Sequence, residues 1–172
     1  SMYNPSDADL GWHLANGQYF FQHGSILREN IYSTMLSGFN WVNSSWATDL
    51  LTYSVFIKFG FFGLTLLGAL TVTLAFYFFS KAAGLNFWQK AFIFPLLLNF
   101  EEPLTQVSFR GHLLTLLFLG VLYSLFTLYE KGRKYWLLAA VLLFVIWSNF
   151  HGEFILGLTV FLLWIFFNLV KK

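Results

Sequence analysis

The stretch SVFIKFGFFGLTLLGALTVTLAFYFFS, residues 54–80, decides the fold: it is apolar almost throughout, and Lys58 is its single charged side chain. A bilayer's hydrocarbon core takes about 20 predominantly apolar helical residues to cross, and this run exceeds that. Gly60, Gly63 and Gly68 along it are expected to let neighbouring helices approach closely. Four further apolar runs follow at about 87–100, 111–129, 135–150 and 154–170, joined by short polar connections. The first of these is short for a full span, contains Pro95, which should kink it, and ends at Glu101-Glu102-Pro103. The expected fold is all-α: a polytopic membrane helix bundle of about five spans over residues 54–172. An N-terminal segment, residues 1–53, of amphipathic surface helices precedes it.

Composition agrees. Of the 172 residues, 58% are hydrophobic and 10% charged, whereas soluble domains carry about a quarter charged residues. An aromatic content of 22% suits lipid-facing and interfacial positions. With no cysteine, a disulfide framework and a thiolate metal site are excluded.

The distribution of charge orients the bundle. Lys81, Lys90, Lys131, Arg133, Lys134, Lys171 and Lys172 fall on one side, with Glu130 the only acid among them. By the positive-inside rule that side is cytoplasmic, so the N-terminus is expected outside and the C-terminus inside. The outer side receives seven of the eight acids and all four histidines: His13, His23, His112 and His151. Groups able to do acid–base, metal or anion chemistry thus collect at one mouth of the bundle, which makes that mouth the expected site. The basic residues lie in turns and are not interleaved with aromatics, so no nucleic-acid partner is expected.

Within residues 1–53 the most polar stretch is Asp7-Ala-Asp9-Leu-Gly-Trp-His13-Leu-Ala-Asn16-Gly17. As a helix it puts Asp9, His13 and Asn16 on one face and Leu10, Leu14, Gly17 and Phe21 on the adjacent one. Asp7 and Asp9 have two readings, as chemical groups facing a cleft or as helix caps, with Ser6 or Asn4-Pro5 opening the helix. A second amphipathic helix is expected after Ser44-Ser45, with Trp46, Leu50, Tyr53 and Ile57 on its apolar face and Ser45, Thr48, Asp49 and Thr52 opposite. Trp41 and Trp46 read first as an interfacial belt and second as a platform for a sugar ring.

Four groups of residues carry a family resemblance: Asp7-x-Asp9-Leu-Gly-Trp12-His13-Leu-Ala-x-Gly17 with Gly24, Arg28 and Ser33; Trp41-Val-Asn43-x-x-Trp46; Phe109-Arg110-x-His112; and Trp147-Ser-Asn149-Phe-His151-Gly152. In this order the chain resembles bacterial and archaeal multispanning proteins similar to the GT-C glycosyltransferases. The resemblance implies a transferase that takes a sugar from a polyprenyl-phosphate donor, a lipid of the membrane, and passes it to an acceptor at the external face of a prokaryotic plasma membrane. It implies Asp7 or Asp9 as catalytic base, taking the proton of the acceptor hydroxyl. Arg110 is assigned to the leaving phosphate, assisted by His112, because guanidinium pairs with phosphate bidentately. His13, Asn149 and His151 are assigned to substrate, with Trp41 and Trp46 as stacking platforms. A divalent cofactor, Mg²⁺ or Mn²⁺, is an option on Asp7, Asp9, Glu101 and Glu102, since hard oxygen ligands suit those ions; Glu101 and Glu102 read first as solvated helix-end charges.

Departures from the pattern are also visible. Relatives commonly carry His-Glu where this chain has Ser44-Ser45, and Arg-Pro where it has Arg110-Gly111. They usually have a span ahead of the aspartate motif and more spans after residue 170, so the chain reads as an N-terminal portion of a larger enzyme or as a minimal version. Two alternatives stand beside the transferase. A transporter or flippase for a lipid-linked or anionic substrate would use the Pro95-broken helix and Arg110. A non-catalytic scaffold would leave Asp7, Asp9 and Arg110 far apart.

Overall fold

A computed structural model describes residues 9–100, 109–133 and 135–171, with the side chains of 98–100 excepted. Among the described residues the chain is all-helical: α1 Leu10–His23, α2 Trp46–Ala82, α3 Phe87–Phe100, α4 Gly111–Glu130, α5 Trp136–Phe150 and α6 Phe154–Val170. The only strand-like feature there is an isolated antiparallel bridge between Glu29 and Asn40, which ties together the loop from α1 to α2. Two helices, α2 and α4, are long and apolar enough to cross a membrane. The apolar helices α5 and α6 are shorter, at 15 and 17 residues, or about 22 and 25 Å at the helical rise per residue.

Local signals explain the ends. At the close of α1, Gly24 takes the left-handed conformation (φ 68°), and its N–H donates to the Phe20 carbonyl at 2.8 Å, as a glycine C-cap does. The opening of α3 is a reciprocal cap: the Gln89 N–H donates to Asn86 Oδ1 and the Asn86 N–H donates to Gln89 Oε1, both at 2.9 Å. That helix then runs through Pro95 to Phe100 as one element.

The long helix α2 begins at Trp46, after Ser44-Ser45 as expected, and runs on past residue 53; it differs from expectation at Gly60, where φ 59° and ψ −152° interrupt the helix. Only glycine adopts that backbone readily, so Gly60 supplies a change of direction and not a helix contact. The close approaches are made elsewhere. Gly68 lies against the backbone of Phe109, and Gly120 of α4 lies where a Cβ would meet the Ala75 carbonyl at 3.1 Å. Through these positions α2 packs chiefly on α4, while α1 lies across the first turns of α2.

Two cores result. Leu122, Leu125 and Phe126 of α4 bury against Ala140 and Leu143 of α5, with Phe161 and Trp164 of α6 packed on them. At the other end Leu10, Leu64, Phe109 and Leu114 form a second cluster beneath α1. Trp147 is completely buried, and Gly157 of α6 makes room for its ring. The outer faces of α5 and α6 expose Leu138, Val141, Leu142, Val145, Ile155, Leu162 and Phe166.

Candidate functional site

The site begins with how closely α1 sits on α2. Gly17 lies so near α2 that a Cβ there would be 2.6 Å from the Asp49 carbonyl oxygen. This approach delivers His13, one turn earlier on α1, to the Asp49 carboxylate: His13 Nδ1 lies 2.5 Å from Oδ1. Asn43 Nδ2 donates to the other oxygen, Oδ2, also at 2.5 Å. Asp49 is 2% exposed, and a buried carboxylate is stable only with such partners. A proton on Nδ1 directed at Asp49 fixes the tautomer and leaves Nε2 as the basic nitrogen of the ring.

The polar stripe of α2 therefore faces inward. Thr48, Asp49 and Thr52 are buried, whereas Trp46, Leu50 and Tyr53 are half-buried and Ile57 is exposed. The cause of this inward turn is physical. Where the surroundings are apolar, polar groups find partners only inside. Thr48 Oγ1 donates to the Phe150 carbonyl at the end of α5. Nor does Ser45 cap the helix through its side chain; its N–H donates to Asn43 Oδ1 at 3.0 Å in an Asx turn.

An open cleft of about 590 Å³ lies over the dyad. His13, Asp49, Asp9 and His151 line it, with Asn16 and Asn43 between them and Trp12 and Trp41 on its wall. The tryptophans meet edge to face at 5.9 Å, and Trp12 meets Tyr32 in the same way at 4.9 Å. The Tyr32 hydroxyl donates to Asn16 Oδ1 at 3.1 Å. Burial, reinforced by the charge on Asp49, raises the Tyr32 phenol above its ordinary value, so it stays a donor. Asp9 stands at the N-cap of α1, but its side chain makes no cap hydrogen bond. Ser6 and Asn4-Pro5, the expected helix openers, lie outside the described residues, and the Asp9 carboxylate lines the cleft.

A second polar group adjoins the first through His151. The α5–α6 turn and the start of α4 bring His112 Nδ1 to 2.7 Å from Glu153 Oε1 and His151 Nδ1 to 3.3 Å from Oε2. The Thr115 hydroxyl lies 3.3 Å from the same His151 nitrogen. Burial pushes His151 below the ordinary imidazole value, with His112 and His13 adding to the effect against the opposing charge of Glu153. For Glu153 burial alone acts upward, but the Thr115 hydrogen bond and the two imidazoles outweigh it and hold the carboxyl below its usual range.

The remaining expected residues are placed as follows. Trp46 Nε1 donates to Asn149 Oδ1 at 2.8 Å, so these two tie the start of α2 to the end of α5. Arg110 is half-buried in extended backbone at the N-cap of α4, next to Gly111 and His112. Asp7, Glu101 and Glu102 lie outside the described residues, so of the four carboxylates considered for Mg²⁺ or Mn²⁺ only Asp9 has a described position. Three site residues were not singled out in the sequence: Asp49, Asn43 and Glu153. The signal for Asp49 was the polar spacing Ser45, Thr48, Asp49, Thr52 in an otherwise apolar helix, a stripe that finds its partners in the interior. No family model, curated protein or solved structure matches this chain.

Proposed function

We propose that this chain is a GT-C-like glycosyltransferase module of about five spans, working at the external face of a prokaryotic plasma membrane on a polyprenyl-phosphate-linked sugar. One observation carries the reading: the buried Asp49–His13 pair opens, with Asp9, into a cleft walled by Trp12 and Trp41. Carboxylates, amides and an imidazole match the hydroxyls of a sugar, and indole faces match its C–H surfaces. An oriented imidazole with a carboxylate behind it is also the arrangement a general base needs.

In this mechanism an acceptor hydroxyl attacks the anomeric carbon and gives its proton to His13 Nε2 or to the Asp9 carboxylate. Asp49 stabilises the imidazolium formed in the first case. The bond between the anomeric carbon and the phosphate oxygen breaks, and the electron pair leaves with the lipid phosphate. Arg110, at the head of α4, is assigned to that phosphate, since guanidinium offers paired donors. Asp7 shares the base assignment with Asp9.

Native mass spectrometry of the protein extracted gently from its membrane tests the donor assignment. Retention of a polyprenyl phosphate by the wild type and its loss in Arg110→Ala is the expected result. Bulk phospholipid alone in both would overturn it.

A further inference from the structure

The group at the α4 head and the α5–α6 turn fits a ligand that the transferase reading does not require. His112, His151 and Glu153 each offer one ligand atom, and all three atoms lie within 4.8 Å of one another. We propose that these three side chains bind a divalent transition-metal ion, with Zn²⁺ the best match.

The donor set argues for that class. Two imidazoles and one carboxylate suit borderline ions, whereas Mg²⁺ and Ca²⁺ prefer oxygen alone. The distances are near what binding needs. Two ligand atoms each about 2.1 Å from one ion are about 3.4 Å apart in tetrahedral geometry, so the three side chains have to draw together by up to about 1.4 Å on binding. His112 Nδ1 and Glu153 Oε1 are already 2.7 Å apart.

Backbone choices hold this arrangement. Gly111 lets the His151 ring seat against the start of α4, where a Cβ would lie 2.9 Å from its Nε2. Thr115, one turn along α4, sets its hydroxyl 3.3 Å from His151 Nδ1, on the side of the ring that faces Glu153. The rings of His112 and His151 meet edge to face with centroids 4.9 Å apart, so neither ring blocks the other by stacking. His151 also lines the cleft that holds His13 and Asp9. An ion here would have three protein ligands and a further position for water or substrate, the pattern of a catalytic rather than a closed structural site.

Calorimetric titration of Zn²⁺ into the chelator-stripped full chain in detergent tests the site without any sugar substrate, so its outcome is separate from that of the transferase reading. The wild type is expected to bind one ion saturably. Glu153→Gln and His151→Ala should each weaken binding by at least the roughly ten- to hundred-fold lost when a residue that merely orients a ligand is removed. His23→Ala should bind as the wild type does, because His23 stands apart at the end of α1, bonded to the Tyr19 carbonyl. Glu153→Gln preserves side-chain shape and decides the matter if His151→Ala fails to fold. Absence of saturable binding, undiminished binding in Glu153→Gln, or equal loss in His23→Ala would overturn the proposal.

Discussion

The two ends of the molecule are held together by different forces. Around Leu122, Leu125, Phe126, Ala140 and Leu143 the interior is apolar, and the Phe126 and Trp164 rings stack at 4.3 Å and 4°. Around Asp49 the interior contains buried Asn16, Thr48 and Thr52 beside the Leu10 cluster, and directional hydrogen bonds set its geometry. Packing tolerates similar shapes, whereas a buried carboxylate tolerates only its partners. The polar end is therefore the more specific and the more fragile one, and that is where the cleft opens.

Substitutions should separate the two ends, beginning with the largest effect. Asp49→Ala strips His13 and Asn43 of their shared partner, and each hydrogen bond to a charged group lost in this way costs about 1.5–3 kcal/mol. Thermal unfolding in detergent should show the drop, and the fold should survive in Asp49→Asn. In the apolar packing between α5 and α6, Gly157→Ala forces a methyl into the Trp147 ring; overpacking of this sort costs about 1–3 kcal/mol. Its melting temperature should fall while the ligand-binding properties of the cleft persist, the opposite division from Asp49→Asn. Thr48→Val removes the donor to the Phe150 carbonyl and, by leaving a buried acceptor unpaired, costs about 1–3 kcal/mol. A Thr48→Ser variant should recover most of that loss.

The smallest effect concerns pH. Because the folded Tyr32 phenol is raised above its ordinary 10.0, the unfolded chain ionises first. Stability from this group is complete below pH 10.0 and declines as pH rises toward the folded value. Tyr32→Phe should flatten that alkaline decline in a melting-temperature profile. An unchanged profile would show that the phenol is not desolvated as described.

Much of the helical architecture was legible because apolar runs and their punctuation are local. The runs from residue 87 onward coincide with helices, and Gly84 and Asn86 mark the turn before α3. So was the face of α1 that carries Asp9, His13 and Asn16, since helical spacing alone aligns them. The orientation of α2 was not legible. Its two faces were, but which of them is buried depends on what packs against the helix, and Thr48, Asp49 and Thr52 take that place. Glu153 and His112 are 41 positions apart, and their meeting depends on how α4 packs beside the α5–α6 turn. Trp147 shows a further limit: its Nε1 has no hydrogen-bond partner among the described residues, and nothing in the local sequence signals that cost.

Nitrogen-15 NMR of the histidine rings reads out whether Asp49 fixes His13 as a base. With His13 assigned by its loss in His13→Gln, the neutral ring should carry its proton on Nδ1 and none on Nε2, and Asp49→Asn should abolish that preference. A neutral His13 protonated on Nε2 in the wild type would contradict the claim, because the Asp49 carboxylate would then face a lone pair and the ring would have no basic nitrogen to offer the cleft.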